Sequence, residues 1–309
     1  MFWKEVAMTN SKSSKLPSYQ AAKLLLTGSG GFIGKNLKKC LSGKYELLTP
    51  RSFELDLCDK NAVREYFAQN NIDFIIHCGS IGGVRGIDDE KCTIEANLAM
   101  VENLLKYKKQ DTKVILFGSG AMYGKTRNLH KIKESEIGEF IPQDLYGQSK
   151  VKISEIASKR NDVLCLNIFA CYGYGEKESR FPSYAINQNL AHKPIEINQN
   201  VIFDYLFVED MGKIVEYFIQ NDWQNNVINI TPTESVSLVE IAQIVNDISD
   251  FKSEIVVKNP VMNNEYTGDN SLLLKNMPSL KFTSMQDGLK KLYEYKKSYS
   301  LPPKEGLMV

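Results

Sequence analysis

The sequence lacks an excess of charge of either sign, long apolar runs and paired cysteines. Its 38 Lys and Arg residues balance 37 Asp and Glu residues, so no net field favours nucleic acid or an anionic membrane. No apolar stretch approaches the roughly 20 residues that a membrane helix needs. The six cysteines form no CxxC pair and show no metal-ligand spacing, and most lie in apolar runs, as reduced cytosolic thiols do. These absences predict a cytoplasmic protein without a metal, acting on a small molecule rather than on nucleic acid or a membrane.

From residue 21 the sequence alternates short β-like runs with amphipathic helical stretches. This rhythm is typical of a parallel sheet that is covered on both faces. It predicts strands at 23–27, 45–49, 74–78, 113–118 and 163–169, and helices at 32–41, 60–69, 94–107 and 146–159. After residue 169 the rhythm breaks, which predicts a second, smaller domain built from C-terminal pieces.

The stretch T-G-S-G-G-F-I-G, residues 27–34, joins the first predicted strand to the first predicted helix. Gly28, Gly31 and Gly34 have the spacing G-x-x-G-x-x-G, which in isolation would be only a weak signal. Between a strand and a helix, glycines let a pyrophosphate approach closely, and the helix N-terminus offers it unpaired N–H groups. The context therefore predicts a dinucleotide site.

The end of the second predicted strand indicates which dinucleotide binds. An acidic residue there would bind the ribose hydroxyls of NAD, whereas a basic residue would suit the extra phosphate of NADP. The strand runs into Thr49-Pro50-Arg51-Ser52, and the nearest acid, Glu54, lies beyond the strand end. Arg51 therefore favours NADP (NADPH) over NAD, although an arginine that is merely exposed would look the same in sequence.

These features predict an α/β fold, with a Rossmann-type doubly wound parallel sheet and a smaller C-terminal α/β substrate domain. Residues 1–20 are interpreted as a loosely held leader, because they lack the continuous apolar core of a signal peptide. The dinucleotide-binding domain is predicted at 21–173, with 201–222 returning to it. The substrate-binding domain is predicted at 174–200 and 223–309.

Tyr146 and Lys150, in L-Y-G-Q-S-K, lie four residues apart at the start of a predicted helix. This spacing puts them on one helix face, where the ammonium can lie near the phenol. A neighbouring cation favours the phenolate, so Tyr146 becomes usable as a proton donor and acceptor. Ser119 leaves a strand at the sheet edge where ligands bind, and its hydroxyl could hydrogen-bond a substrate oxygen shared with Tyr146. Alone, these residues would be read as a surface pair and a turn cap; downstream of a phosphate turn they predict catalysis.

In order and spacing, these motifs resemble the extended short-chain dehydrogenase/reductases, the group of nucleotide-sugar epimerases, dehydratases and reductases. The resemblance covers roughly residues 23–292. Besides the glycine turn and Y-G-Q-S-K, it rests on D-L-C-D at 56–59, H-C-G-S at 77–80, E-A-N-L at 95–98, G-S-G-A-M-Y-G at 118–124, C-Y-G-Y-G at 171–175 and F-D-Y-L-F-V-E-D-M at 203–211.

The resemblance implies a catalytic triad of Ser119, Tyr146 and Lys150, with Asn97 in support. It also implies that Lys150 holds the nicotinamide ribose, and that Tyr146 moves the proton while hydride passes to or from a sugar carbon. With Arg51 included, the candidate cofactor-binding residues are Gly28, Gly31, Phe32, Ile33, Gly34, Arg51, Asp56, Leu57, Cys78, Gly79, Ser80, Asn97, Tyr146 and Lys150. The candidate substrate-binding residues are Ile81, Gly82, Arg85, Ala121, Arg180 and Lys193.

The residues after Ser119 discriminate among the reactions of this group. The 4,6-dehydratases have an Asp-Glu pair there, whereas this sequence has Gly120-Ala121, so dehydration is not expected. R-S-F-E-L-D-L and S-I-G-G-V-R-G resemble the GDP-fucose synthase-like reductases, which epimerise carbons 3 and 5 before reducing carbon 4. Their epimerising cysteine and histidine would fall at Ala121 and near Arg180, so the resemblance implies reduction without epimerisation. Cys171 and His192 are the replacements available, and a buried thiol and a surface imidazole are the simpler interpretations.

We therefore predict an NADPH-dependent reductase that delivers hydride to carbon 4 of a nucleotide-activated 4-keto-6-deoxy sugar, as in the synthesis of bacterial surface polysaccharides. An NAD-dependent nucleotide-sugar 4-epimerase is the alternative, because the same triad serves both reactions. A non-catalytic cofactor-binding scaffold is the alternative of another class. The resemblance further implies a homodimer formed through the helices at 94–107 and 146–159.

One departure from the family concerns the substrate diphosphate. The family usually holds it with two arginines, but here Phe203 stands at one of these places and no arginine follows Arg180. Lys193 or Lys258 would have to substitute as point charges, without the fork geometry of a guanidinium.

Overall fold

The computed structural model describes residues 22–84 and 87–300, so the predicted leader at 1–20 and the candidate residue Arg85 lie outside the described residues. In chain order, the strands are β1 (Lys23–Thr27), β2 (Glu46–Leu48), β3 (Phe74–His77), β4 (Lys113–Ser119), β5 (Leu129–Ile132), β6 (Val163–Ile168), β7 (Ala170–Tyr172), β8 (Ile195–Gln199), β9 (Ile202–Phe203), β10 (Tyr205–Phe207), β11 (Val227–Ile230), β12 (Val236–Ser237), β13 (Ile255–Asn259) and β14 (Tyr266–Gly268). The helices are α1 (Phe32–Leu41), α2 (Lys60–Gln69), α3 (Thr93–Tyr107), α4 (Leu145–Ser158), α5 (Phe181–Leu190), α6 (Val208–Gln220), α7 (Leu238–Ile248), α8 (Ser271–Asn276) and α9 (Met285–Ser300).

The largest sheet is parallel and has six strands in the order β11-β6-β4-β3-β1-β2. Its strands bury side chains on both faces. Leu24 and Leu26 lie in the core that includes α1 and α6, whereas Leu25 lies in the core that includes α2, α3 and α4. Strands that are covered on both faces need near-continuous apolar runs, which is what the sequence of β1 supplies. The predicted Rossmann-type doubly wound sheet is confirmed.

The strand order reverses beside β1. The chain runs from β1 to β2 on one side and then crosses back to β3 on the other side. Ligands of doubly wound sheets bind at such a switch point, in the crevice outside the carboxyl ends of the strands. The glycine turn follows β1, H-C-G-S ends β3 and Ser119 ends β4, so the topology brings these motifs to one edge of the sheet.

Smaller sheets and three helices complete the C-terminal part. β12, β9, β14 and β5 form one sheet, β13 pairs with β8, and β10 pairs with β7. α5, α7 and α9 enclose a third core around residues such as Ile186, Ile241 and Leu289. β11 lies in the large sheet although it belongs to the segment 223–309 that was assigned to the substrate domain. The division into two domains stays a prediction, with β11 belonging to the first of them.

Two features of the structure concern the sequence-based expectations about disulfides and membrane helices. All six cysteines are free thiols. Within residues 22–84 and 87–300, no helix combines the length and the apolar character needed to cross a membrane.

Candidate active site

The turn between β1 and α1 is built so that glycine is required at two positions. Gly28 has a φ of +69°, and a Cβ there would lie 2.5 Å from the Gly79 amide nitrogen. A Cβ on Gly34 would lie 2.2 Å from the Gly28 carbonyl oxygen. Gly31 is the N-cap of α1 and provides no side-chain cap, so the amides of Phe32 and Ile33 have no intrahelical acceptor. This glycine cradle, with its uncapped helix N-terminus, fits a pyrophosphate.

Arg51 lies against the same turn. A Cβ on Gly30 would be 3.3 Å from the Arg51 Cζ, so the guanidinium packs over the glycines. Glu54, the nearest acid, accepts a hydrogen bond from the Arg51 amide at 2.6 Å. The Glu54 carboxylate is therefore engaged by a backbone amide. The exposed Arg51 guanidinium is a charged group that lies beside the glycine cradle, after the end of β2.

Two of the candidate cofactor-binding residues, Asp56 and Leu57, follow β2 in the chain. Asp56 accepts a hydrogen bond from the backbone amide two residues later at 2.9 Å, and Leu57 is buried. Asn103, on α3, donates to the Leu57 carbonyl at 2.9 Å and fixes this segment. Three further candidate residues follow β3 at the same sheet edge: Cys78, Gly79 and Ser80.

Tyr146 and Lys150 lie on the first turns of α4. The helix begins after Asp144, whose carboxylate accepts a hydrogen bond from the Gly147 amide at 2.8 Å. Lys150 is buried; its Nζ donates to the Phe117 carbonyl at 2.8 Å and lies 5.3 Å from the centre of the Tyr146 ring. The Nζ of Lys125 lies 5.6 Å from the same ring centre. Two ammonium groups therefore lie near the Tyr146 ring, and that of Lys125 is also paired with Asp144 at 3.3 Å. Positive charge at this place would stabilise negative charge developing on a nearby oxygen.

Ser119 ends β4 and starts a short 3₁₀ turn. Its Oγ accepts a hydrogen bond from the Ala121 amide at 3.2 Å. The turn packs against the start of α4, since a Cβ on Gly147 would lie 2.9 Å from the Ala121 carbonyl oxygen. The structure thus brings the three predicted catalytic residues together at the carboxyl end of β4.

Asn97 holds the loop that follows β3. Its side chain is almost wholly buried, and its Oδ1 accepts a hydrogen bond from the Ile81 amide at 2.8 Å. Its Nδ2 donates to the Ile81 carbonyl at 3.0 Å and to Ser149 Oγ, on α4, at 3.1 Å. Asn97 therefore supports the site by tying the Ile81 loop to the catalytic helix.

Asp89, which is not among the residues predicted from the sequence, makes a second connection between this loop and α4. Its carboxylate accepts hydrogen bonds from the Gly83 amide at 2.8 Å and from the Tyr146 amide at 2.7 Å. Gly83 has a φ of +73°, and a Cβ there would lie 2.9 Å from the Tyr146 ring. Because both partners of Asp89 are backbone amides, no motif of side chains announces it in the sequence.

We expect Asp89→Asn to lower kcat/KM by about 10-fold, because an amide can accept with only one of the two atoms that now accept. The other backbone N–H then faces an NH₂ donor, at a cost of about 1–3 kcal/mol. Steady-state kinetics and denaturant unfolding measure the two effects. The matched control is Asp88→Asn, which removes the same charge from the exposed neighbouring residue. Equal kinetics of the two variants would contradict the positioning role of Asp89.

The remaining substrate candidates do not all lie together. Ala121 is buried beside Ser119, and Gly82 lies in the loop next to Tyr146, with a φ of +85°. Arg180 is the N-cap of α5, whereas Lys193 lies beyond the other end of that helix, about 15 Å away by the rise of its ten residues. Arg180 acts electrostatically on Tyr266 near the site. No described contact links Lys193 to the triad.

Phe203, which stands where an arginine was expected, belongs to an aromatic cluster. Its ring centre lies 5.4 Å from that of Tyr205 and 5.8 Å from that of Tyr266. Tyr266 also packs against Phe169 at 5.4 Å. The proposed substitute Lys258 forms an ion pair with Glu196 at 2.7 Å. The place of one family arginine is therefore filled by aromatic packing rather than by charge.

Glu176 is a buried carboxylate close to the N-terminus of α5 and is not among the residues predicted from the sequence. Burial raises its pKa to about 7 from its ordinary 4.5. The hydroxyl and amide of Ser183 face the carboxylate and partly offset this rise. Neither carboxylate oxygen, however, reaches hydrogen-bonding geometry with a partner among the described residues. Ionisation of Glu176 therefore costs stability.

We expect the free energy of unfolding to fall as pH rises from about 4.5 through 7, because the folded state holds the Glu176 proton more tightly than the unfolded chain does. The full loss, above pH 7, is on the order of 3 kcal/mol. Glu176→Gln should remove this fall and stabilise the protein at pH 8 in denaturant titrations.

Glu178→Gln is the control for that titration, since it removes the same charge nearby. The Lys296 ammonium lowers the pKa of Glu178, so its ionised form adds stability that is lost as pH falls. Glu178→Gln should therefore destabilise slightly at pH 8. A Glu176→Gln variant with an unchanged pH profile of stability would contradict the assignment.

A comparison with known proteins finds matches over the region that contains this site. The model of a family described as the NAD dependent epimerase/dehydratase family matches residues 24–231. GDP-L-colitose synthase of Yersinia pseudotuberculosis is 25% identical over 303 residues, which cover 88% of this chain and 97% of that protein. GDP-L-fucose synthase of Azorhizobium caulinodans is 25% identical over 260 residues, which cover 76% of this chain and 83% of that protein.

A solved structure with a similar fold is GDP-mannoheptose C4 reductase from Campylobacter jejuni with NADP bound. It matches with a TM-score of 0.78 at 21% sequence identity and covers 90% of this chain and 99% of that chain. The fold of the described residues is therefore the fold of that reductase.

Proposed function

Because the chain belongs to the NAD dependent epimerase/dehydratase family, we propose that it is an NADPH-dependent reductase acting on carbon 4 of a nucleotide-activated 4-keto-6-deoxy sugar. The observation that carries the proposal is the convergence of Ser119, Tyr146 and Lys150 at the end of β4, beside the glycine cradle. The chain is an NAD(P)-dependent enzyme of the oxidoreductase and epimerase group, so the non-catalytic scaffold is set aside. The names of the similar proteins, a colitose synthase, a fucose synthase and a C4 reductase, support a sugar-nucleotide reductase.

The residues of the cradle and of α4 have separate tasks in this reaction. The amides at the start of α1 would hold the pyrophosphate, and Arg51 the ribose phosphate. When bound, the nicotinamide supplies the hydride. Tyr146 gives its phenolic proton to the ketone oxygen, and Ser119 donates a hydrogen bond to that same oxygen. Lys150 places positive charge beside the phenol as it becomes a phenolate, so the new O–H bond forms without a buried uncompensated anion.

Epimerisation at carbons 3 and 5 has no well-placed acid or base in this proposal. Ala121 stands where the epimerising cysteine would be. Burial raises the pKa of the Cys171 thiol, which opposes its use as a base. The His192 ring stacks on Phe251 with ring centres 4.3 Å apart. These three observations support reduction without epimerisation.

The preference for NADP rests on Arg51 and agrees with the NADP bound in the C4 reductase. We expect Arg51→Ala to raise the KM for NADPH about 10-fold or more, with little change for NADH, because only NADPH carries the additional phosphate. Arg64→Ala, at an exposed position on α2, is the control for loss of positive charge. An unchanged ratio of the two KM values would assign Arg51 to the surface alone.

The direct test incubates the protein and NADPH with a panel of nucleotide-linked 4-keto-6-deoxy sugars while absorbance at the nicotinamide band is followed. Oxidation of NADPH with one of them is the expected result. Purification with retained NAD, and interconversion of 4-epimers without added cofactor, would favour the 4-epimerase instead. No turnover in either assay would overturn the proposal.

Two further expectations accompany the proposed function. The homodimer would form through α3 and α4. Within one chain, these two helices are joined by the hydrogen bond from Asn97 to Ser149. Light scattering at micromolar concentration measures it, and a monomeric mass would contradict it. A cytoplasmic site of action would suit the six free thiols.

A further inference from the structure

Tyr266 reaches the catalytic site from a distant part of the chain. β14, which carries it, pairs with β5 and β9, and its ring packs between Phe169 and Phe203. The Tyr266 hydroxyl would lie 2.5 Å from a Cβ on Gly120. The absence of a side chain at position 120, directly after Ser119, therefore leaves the space that this phenol occupies.

The Ser119 side chain lies within hydrogen-bonding reach of the Tyr266 hydroxyl and lowers the pKa of that phenol, but burial, with Tyr146 next in size, raises the pKa by more. The Tyr266 phenol therefore stays protonated and able to donate. The Tyr266 hydroxyl thus lies beside Gly120 and Ser119 at the end of β4.

The number of hydrogen bonds that the Ser119 hydroxyl can accept determines where its own proton is directed. A serine hydroxyl has one donor and two acceptor positions. One acceptor position takes the Ala121 amide at 3.2 Å. If the Tyr266 proton fills the second, the single O–H of Ser119 is left to donate to a substrate oxygen.

We propose that Tyr266 is a positioning residue, whose hydroxyl donates to Ser119 Oγ and thereby directs the Ser119 proton at the oxygen that Tyr146 protonates. This inference rests on the proposed reductase function. It also gives the Gly120 position a purpose, since any larger residue there would displace the phenol. The ketone oxygen is thus met by two aligned donors, Tyr146 and Ser119, before hydride arrives.

Two variants test the kinetic part of this proposal. Tyr266→Phe keeps the ring and its stacking but removes the donor, and we expect kcat to fall about 10-fold with the KM for NADPH unchanged. Tyr217→Phe is the matched control. Tyr217 lies on α6, where its hydroxyl donates to the Asn276 carbonyl at 2.5 Å and has no described contact with Ser119. Equal kcat values for the two variants would overturn the proposal.

A second measurement needs no substrate. 3-Fluorotyrosine is incorporated at position 266 of the full chain, and its fluorine resonance is recorded in the parent protein, in Ser119→Ala and in Ser154→Ala. Ser154 is a buried serine on α4 and serves as the control. Ser119→Ala should move the resonance, and Ser154→Ala should not.

The two measurements separate the possible failures. A resonance that is insensitive to Ser119→Ala would overturn the Tyr266 contact whatever the enzyme turns over. Failure of the parent protein to oxidise NADPH with any sugar would overturn the proposed function, while the fluorine experiment would still decide whether Tyr266 and Ser119 are hydrogen-bonded.

Discussion

Tyr146→Phe is expected to lower kcat by about 10²–10⁴-fold, because in the proposed reaction it removes the group that gives its proton to the substrate oxygen. The ring remains, so its packing against Gly83 and its position near the Lys125 and Lys150 ammonium groups are kept. Cofactor affinity should therefore stay close to that of the parent protein. The measurement pairs steady-state turnover with a fluorescence titration of NADPH.

Tyr184→Phe provides the reference for losing a phenolic hydroxyl elsewhere. The Tyr184 hydroxyl accepts a weak hydrogen bond from the Glu196 amide at 3.3 Å in the C-terminal part. This variant should keep its turnover within a few fold of the parent protein. Undiminished cofactor-dependent turnover of Tyr146→Phe would refute the catalytic assignment.

Gly34→Ala is expected to abolish measurable NADPH binding, or to weaken it by at least about 100-fold. A methyl group at this position would lie 2.2 Å from the Gly28 carbonyl oxygen and 2.8 Å from the Gly28 carbonyl carbon. Both are backbone atoms of the cradle, so relief requires α1 to move away from the turn that would seat the pyrophosphate. Calorimetry with NADPH measures the affinity, and circular dichroism reports whether the sheet and helices persist.

Gly43→Ala separates this clash from the general cost of replacing glycine. Gly43 has a φ of +80°, so alanine is strained there, at about 1 kcal/mol, but a Cβ would meet no atom within 4 Å. The control should lose some stability and keep its affinity. If both variants bound NADPH alike, the close approach of Gly34 to Gly28 would not matter for the cofactor.

The elements with strong local patterns were predictable to the residue. β1, α1 and α2 have the predicted bounds, because each joins a clear apolar period to a glycine turn or to a capping residue such as Asp59. The apolar run at 201–208, which in isolation predicts one strand, instead forms two short strands, β9 and β10, followed directly by α6. β5 and β14 were not predicted from the sequence, because strands of three or four residues are defined by partners far away in the sequence.

The residues of the candidate site likewise fall into those that the sequence predicts and those that it does not. Gly28, Ser119, Tyr146 and Lys150 were predicted as candidates because each belongs to a motif whose spacing has a physical reason. Asp89 acts on backbone amides, which every sequence possesses, so no pattern marks it. Tyr266 becomes relevant only when β14 is paired beside β5. The roles assigned to individual site residues remain predictions, which the variants above test.

The pairing of β5 with β14 has a consequence for the order in which the enzyme is completed during synthesis. β5 lies between Ser119 and Tyr146 in the chain, but its strand partner is translated only at residues 266–268. A ribosome-bound chain that ends after β11 contains the whole parallel sheet, the cradle and the triad, yet its β5 edge is unpaired and the place beside Gly120 is empty. The nascent protein should therefore acquire the capacity to bind its dinucleotide well before it acquires a finished substrate pocket.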